Sequence, residues 1–164
     1  MKRSVISVYV ENKYGVVARV SGLFMRRGFN IDSFTGRETN DPRYSRITIA
    51  LNGDDYTREQ TVKQLKKLQN VKNVKLLEDG SAVERELMII KMRNNPQTRS
   101  DVMAAVDAYR AKIIDYTTDA MCVEVTGEPS KINAFIDVME PLGIVEMCRT
   151  GVVALERGSS ILEK

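Results

Sequence analysis

Apolar and polar residues alternate with a period of two in several short runs, which is the pattern of a strand with one buried face. The clearest runs are residues 4–10 and 45–51, in which every second side chain is aliphatic. Between these runs, Val16, Val20 and Leu23 recur three and four positions apart, which is the spacing of one helix face. The start of the chain therefore predicts strands separated by an amphipathic helix.

The same two patterns, followed along the rest of the chain, predict the order strand, helix, strand, strand, helix, strand, and then the same order again. The predicted strands cover residues 4–10, 29–35, 45–51, 71–78, 85–92, 112–116, 121–126 and 144–149, with an extension through 152–155. The predicted helices begin near Gly15, at Thr57, after Pro96 and at Pro129. This order predicts an α+β fold class of two βαββαβ units, residues 1–79 and 80–158. Residues 159–164 remain as a tail, and we expect the polar end of the chain to fray.

Each predicted unit has both helices on one face of a four-stranded antiparallel sheet, so that the other face is left uncovered. In the first unit that face would carry Ile6, Val8 and Ile47, or their alternate neighbours. Large exposed apolar patches are usually covered by a partner. We therefore expect a homodimer, or docking of one half of the chain onto another.

The composition excludes several kinds of catalytic site. The chain contains no His and no Trp, so Ser-His-Asp, Cys-His and His-containing zinc sites are impossible. The glycine signatures of dinucleotide and P-loop sites are absent. Asp54 and Asp55 are the acidic pair that most resembles a catalytic one, and we expect them in the turn before the second helix. Cys122 and Cys148 lie in strand-like runs and are expected to be buried. We predict no catalytic and no metal-binding residue.

Charge and hydropathy give no indication of a nucleic acid or a membrane. The net charge is +3, with basic and acidic residues interspersed. The strand order is shared with the RNA-recognition fold, but that fold needs aromatic residues on its central strands, and only Tyr9 is a candidate. No apolar run approaches the ~20 residues of a membrane span. The N-terminus lacks a leader pattern, so we expect a cytoplasmic protein.

The loop before the first helix carries the remaining chemistry. A helix N-terminus has unpaired N–H groups and about half a positive charge, and Gly15 lets a ligand approach the backbone. The amides near Gly15, Val16 and Val17 could receive a carboxylate, and the Asn12 oxygen could accept from an ammonium group. Val16 and Val17 could border an aliphatic side chain. The alternative is that Asn12 merely caps the helix and Gly15 merely permits a turn.

A set of short motifs occurs in a fixed order along almost the whole chain. They are Asn12-x-x-Gly15, Arg19-Val20, Gly22-Leu23-Phe24, Arg27-Gly28-Phe29-Asn30-Ile31, Ser33, Ser45-Arg46-Ile47-Thr48, Val83-Glu84-Arg85-Glu86-Leu87, Ile113-Ile114-Asp115 and Arg149-Thr150-Gly151-Val152-Val153-Ala154-Leu155. Together they resemble the regulatory small subunit of acetohydroxyacid synthase (acetolactate synthase). The resemblance extends from about residue 3 to residue 158.

The resemblance implies an N-terminal ACT domain followed by a C-terminal ferredoxin-like domain. It implies a homodimer through the ACT domain and binding to the catalytic large subunit, which acts in the biosynthesis of valine, leucine and isoleucine. The small subunit of this family activates the catalytic subunit and confers feedback inhibition by valine. Thiamine diphosphate, magnesium and FAD belong to the large subunit, so no cofactor is expected in this chain.

The resemblance also implies an effector site where two ACT domains meet. Its residues would be Asn12, Gly15, Val16 and Val17 from one chain, and Asn30 and Ile31 from the other. Two positions depart from the family pattern: Val17 stands where Leu is common, and Gly36-Arg37 replaces an apolar continuation of the strand. The choice among valine, leucine and isoleucine therefore stays open. An alternative function is an ACT-type amino-acid sensor that acts on a different protein partner.

Overall fold

Helices and strands follow one another in the predicted order in a computed structural model that describes residues 2–163. The first series is β1 Lys2–Glu11, α1 Val16–Arg27, β2 Ile31–Glu38, β3 Tyr44–Gly53, α2 Asp55–Leu65 and β4 Val71–Leu77. The second is β5 Ala82–Arg93, α3 Arg99–Ala108, β6 Lys112–Tyr116, β7 Ala120–Gly127, α4 Pro129–Met139 and β8 Ile144–Arg149. A 3₁₀ turn, Glu140–Leu142, follows α4, and β9 spans Val153–Glu156. The predicted α+β class with two ferredoxin-like units is confirmed.

The first sheet has the strand order β2-β3-β1-β4, and its paired strands are antiparallel. The register places Ile6 opposite Ile49 and Val8 opposite Ile47, so the aliphatic residues of the central strands share one face. Helices α1 and α2 cover this face, and Phe24 and Leu65 are buried against it. The predicted period-two and helical patterns therefore meet in one core.

The second sheet has the order β6-β7-β5-β8, with the short β9 also paired to β5, and it has a comparable core of its own. Alternate residues of β5, Met88, Ile90 and Met92, are fully buried against Ile132 and Phe135 of α4. The intervening residues point away from the helices. Strand alternation therefore divides β5 into a core side and an outer side.

The outer side of the second sheet carries both cysteines. Cys122 lies opposite Lys91 and Cys148 lies opposite Ile89 in the strand register, away from the buried residues of β5. Cys122 is half-buried and Cys148 is exposed. The expectation that both cysteines are buried is therefore wrong for Cys148, because an apolar run does not reveal which positions face the helices.

The described chain packs as two units that differ from the division expected from the sequence. Residues 2–83 and 151–163 form the first unit, and residues 84–150 form the second. The junction falls at residues 83 and 84, close to the turn expected at 79–82. The larger difference is that residues 151–163, hereafter the C-terminal segment, pack with the first unit.

The C-terminal segment covers the face of the first sheet that lies opposite the helices. Val152 and Ala154 are buried in a cluster with Val5, Ala50 and Leu77 of that sheet. An apolar sheet face needs cover, and this chain provides part of it itself. The cover is a short segment of the same chain, so it is neither the homodimer nor the docking of one half of the chain onto another, and both of those stay predictions.

The expectation that the polar end of the chain frays is wrong for its described residues. Leu162 is only 4% exposed, and its carbonyl accepts a hydrogen bond from Asn73 Nδ2 at 3.0 Å. Lys75 Nζ on β4 pairs with the Glu156 carboxylate and donates to Ser160 Oγ at 2.6 Å. The polar residues that suggested a frayed tail therefore serve as contacts with the sheet.

One ion pair in the second unit is largely removed from water. Glu86 at the start of the second sheet is 6% exposed, and both of its carboxylate oxygens accept from Arg149, at 2.8 and 2.7 Å. Arg149 Nη1 also donates to Asn133 Oδ1 of α4 at 3.0 Å. This bidentate pair joins β5, β8 and α4, and a buried carboxylate depends on such a partner.

Replacing Arg149 by Ala should destabilise the second unit by about 2–4 kcal/mol, because the buried Glu86 carboxylate would lose its counterion. Lys91→Ala is the matched control, since it breaks the exposed pair with Glu146 and should cost less than about 1 kcal/mol. Urea unfolding measures both free energies of unfolding. Equal losses in the two variants would contradict the importance of the buried pair.

Candidate functional site

A four-residue loop connects the end of β1 at Glu11 to the start of α1 at Val16. Gly15, the last residue of the loop, has φ 79° and ψ −3°, a left-handed conformation that glycine adopts readily. This step turns the chain from the sheet into the helix within a single residue. The loop is therefore short and brings the start of α1 close to the end of the central strand β1.

The N-terminus of α1 has no side-chain cap and no acidic residue in its first turn. The Val16 N–H reaches the Lys13 carbonyl only at 3.3 Å. Within residues 2–163, the N–H groups of Val17 and Ala18 donate to no protein acceptor. Unpaired amides and the helix dipole together favour an anion at this position.

Asn12 does not cap the helix, which was the alternative explanation for its presence in the loop. Its side-chain Nδ2 donates to the Pro42 carbonyl at 2.9 Å, and its main-chain N–H donates to the Arg43 carbonyl at 2.7 Å. The described residues offer no donor to its Oδ1. Asn12 therefore holds the loop against the turn between β2 and β3 and keeps one acceptor oxygen available.

A cleft of about 610 Å³ lies beside this loop and extends along β2, within the size range of small-ligand sites. Three of the predicted site residues, Asn12, Val16 and Val17, line it, and Gly15 adjoins them in the chain. Val16 is buried, whereas Val17 is 57% exposed at the rim. The structure therefore places three of the four predicted residues of one chain on the cleft wall, with Gly15 next to them in the loop.

Phe34 and Gly36 of β2 form part of the cleft wall that the sequence did not identify as a site. A Cβ atom at Gly36 would lie 3.6 Å from Ile47 Cγ1, an ordinary van der Waals contact, so the position has room for a small group that the glycine leaves unfilled. The sequence showed Gly36 only as a departure from the family pattern. Gly36 is two positions after Phe34 in a predicted strand, and this spacing was the feature of the sequence that indicated a shared face.

Asn30 and Ile31 do not line the cleft of their own chain. Asn30 is exposed just before β2, and Ile31 lies opposite Leu51 at the start of that strand. The cleft adjoins the other end of β2, at Gly36 to Glu38. Their assignment to the site therefore stays a prediction that requires a second copy of the chain.

Glu11 contributes a carboxylate to the cleft, but its charge is compensated. Its oxygens contact Lys13 Nζ at 2.8 Å, Lys72 Nζ at 2.6 Å and Asn70 Nδ2 at 2.9 Å. Hydrogen bonds from Lys13, and then from Lys72 and Asn70, lower the pKa of Glu11 to about 2. With two ammonium groups beside it, this carboxylate does not make the cleft repulsive to an anion.

Neither a cluster of metal-ligating side chains nor a membrane-spanning helix occurs among residues 2–163. No group of three or more His, Cys, Asp or Glu side chains within residues 2–163 is arranged to hold a metal ion. None of the helices in that range is both long and apolar enough to cross a bilayer.

Glu11→Gln should reduce the loss of stability that the protein shows as the pH falls below 4.5. Because the folded pKa of Glu11 is about 2 and its ordinary value is 4.5, ionised Glu11 stabilises the fold above pH 4.5. That contribution is lost as the pH falls from 4.5 towards 2. Thermal unfolding of both proteins from pH 7 to pH 2 measures it: the difference in Tm should be largest at neutral pH and shrink below pH 4.5. A difference independent of pH would contradict the ion cluster.

Comparison with known proteins identifies the family of the chain. A family model described as "AHAS small subunit-like ACT domain" matches residues 6–73, and one described as "Small subunit of acetolactate synthase" matches residues 85–158. The chain is 47% identical to the probable acetolactate synthase small subunit of Archaeoglobus fulgidus, over 94% of this chain and 96% of that one. It is 45% identical to the acetolactate synthase small subunit of Mycolicibacterium smegmatis, over 93% and 90% of the two chains.

A solved structure agrees as well. The small subunit of acetolactate synthase from Thermotoga maritima superposes with a TM-score of 0.88 at 38% identity, covering 98% of this chain and 100% of that one. Together, the family models, these relatives and the solved structure match both halves of the chain. The chain belongs to the acetolactate synthase small-subunit family.

Proposed function

We propose that this chain is the regulatory subunit of an acetolactate synthase, which activates the catalytic large subunit and makes it sensitive to feedback inhibition by valine. The observation that supports this proposal is the uncapped start of α1, which opens on a cleft with a partly apolar wall, beside the available oxygen of Asn12. A free aliphatic amino acid has a carboxylate, an ammonium group and an apolar side chain, and the cleft provides a complement for each.

The proposed contacts follow from the groups that are available. The valine carboxylate would accept from the N–H groups of Val17 and Ala18, at the positive end of the helix dipole. The ammonium group would donate to Asn12 Oδ1. The side chain would lie against Phe34 and Gly36 of β2, where the glycine leaves room.

The edge position of β2 supports a homodimer through the ACT domain. In the described sheet β2 pairs with β3 alone, so its other edge has backbone groups available for a second strand. An antiparallel pairing of β2 with a second copy of itself, symmetric about its midpoint, would set Ile31 of one copy opposite Glu38 of the other. Asn30 and Ile31 of the second copy would then reach the mouth of the cleft, so that two copies of the chain would together form one site.

The proposed mechanism is a shift between two arrangements of the dimer. Valine that touches both copies would favour one arrangement, and it would inhibit only to the extent that it binds that arrangement more tightly. Couplings of this kind are typically about 1–3 kcal/mol. The reaction itself, with thiamine diphosphate, magnesium and FAD, would take place in the catalytic subunit in the cytoplasm, and this chain would bind only the effector and its protein partners.

Gly15→Asp should give a regulatory subunit that still activates the catalytic subunit but needs at least about tenfold more valine for inhibition. The added carboxylate would repel that of valine at the start of α1. Gly15→Asn is the matched control, since Asn also tolerates the left-handed conformation and carries no charge. Activity of the reconstituted enzyme over a valine series measures the effect, after co-elution with the large subunit has been established.

Full valine sensitivity in Gly15→Asp would show that the carboxylate binds elsewhere. An equal loss in Gly15→Asn would show that charge is not the cause. Absence of co-elution with the cognate large subunit would instead favour a sensor for a different protein partner.

A further inference from the structure

We propose that the effector cleft and the C-terminal segment are coupled through β2, because they use opposite faces of this one strand. The identity of the effector rests on the proposed function, but the coupling itself does not. Under this proposal Gly151 is a positioning residue for regulation: it touches no ligand and acts through the strand that lines the cleft.

Strand alternation separates the two faces of β2. Phe34 lies opposite Ile49 of β3, on the side of the helices and the cleft, and Gly36 shares that side. Ser33 and Thr35 point to the other side, where Ser33 lies opposite Ala50. A residue that packs on Ser33 and Thr35 is therefore separated from the cleft by the thickness of one strand.

Gly151 is the residue of the C-terminal segment that packs there. A Cβ atom on Gly151 would lie 2.9 Å from Ser33 Cβ and 2.9 Å from Thr35 Oγ1, distances that real Cβ contacts do not show. The next residue, Val152, donates its N–H to Ser33 Oγ at 3.4 Å. The backbone of the segment therefore lies directly on β2, and neither can shift towards the other.

The rest of the segment is fixed to two other strands of the first sheet, β3 beside β2 and β4 at the far edge. Arg46 Nη2 of β3 donates to the Ala154 carbonyl at 3.3 Å, and Arg46 Nη1 contacts Glu163 at 3.5 Å. Lys75 of β4 pairs with Glu156. Because the segment is held on β3 and β4, a displacement of β2 changes the contact at Gly151 rather than moving the whole segment with it.

Gly151 is also bonded to the last residue of the second unit. Thr150 pairs with Leu87 of β5: its N–H donates to the Leu87 carbonyl at 3.0 Å, and its Oγ1 accepts from the Leu87 N–H at 3.1 Å. Gly151 is therefore one peptide bond away from a residue that is fixed on β5. Coupling free energies are reciprocal, so a correctly seated Gly151 should also increase the affinity of the cleft for its ligand.

The chain itself provides a matched pair of variants for the test. Gly151 and Gly158 both lie in the C-terminal segment with nearly the same φ, 80° and 77°, so an alanine should cause similar backbone strain at each. A Cβ atom at Gly158 meets nothing within 4 Å, whereas one at Gly151 collides with β2. Gly151→Ala therefore tests the contact, and Gly158→Ala controls for the strain.

Hydrogen–deuterium exchange of the full-length protein without ligand gives the first readout. Gly151→Ala should increase the exchange rate of residues 33–38 by at least about fivefold relative to Gly158→Ala, and a calorimetric titration should show valine affinity reduced by at least about fivefold. Ser33→Ala perturbs the same contact from the other side without strain, and should increase exchange at residues 151–154.

Equal exchange at residues 33–38 in the two glycine variants, or unchanged exchange at 151–154 in Ser33→Ala, would overturn the coupling. If Gly151→Ala does not fold, the Ser33→Ala comparison decides. If the wild-type protein binds no valine although the exchange differences are found, the coupling stands and the proposed effector function is wrong.

Discussion

The alternation of side chains along β2 is the constraint on which both the cleft and the cover of the first sheet depend. A strand must present successive residues to opposite faces. Phe34 and Gly36 consequently line the cleft, while Ser33 and Thr35 receive Gly151. A shift of register by one residue would exchange these roles. The cleft would then lose Gly36, and the C-terminal segment would lose the surface on which Gly151 packs.

The second structural requirement is cover for a sheet that has both helices on one face. The first unit meets it in part with its own C-terminal segment, through Val152, Ala154 and the buried Leu162. The ion pairs of this segment with Arg46 and Lys75 make its polar residues part of its contact with the sheet. The outer edge of β2 pairs with no strand of the described sheet, and it is there that we propose the pairing with a second copy of the chain.

The sequence predicted what depends on local patterns. Period-two runs located the strands, and the glycine at position 15 located the turn at the start of α1, because both signals lie in adjacent residues. The sequence could not assign the C-terminal segment to the first sheet, since the alternation of Val152 and Ala154 indicates a strand but not its partner. The hydrogen bond from Asn12 to Pro42 joins residues 30 positions apart, so it needed the tertiary structure.

The most direct test of the effector site is a titration of ¹⁵N-labelled protein with valine, followed by NMR of the backbone and side-chain amides. Binding of valine at the start of α1 should shift the N–H signals of Val17 and Ala18 together with the side-chain amide signal of Asn12, and the shifts should saturate. Saturable binding of valine that leaves these signals unchanged, or no binding at all, would contradict the proposed effector site.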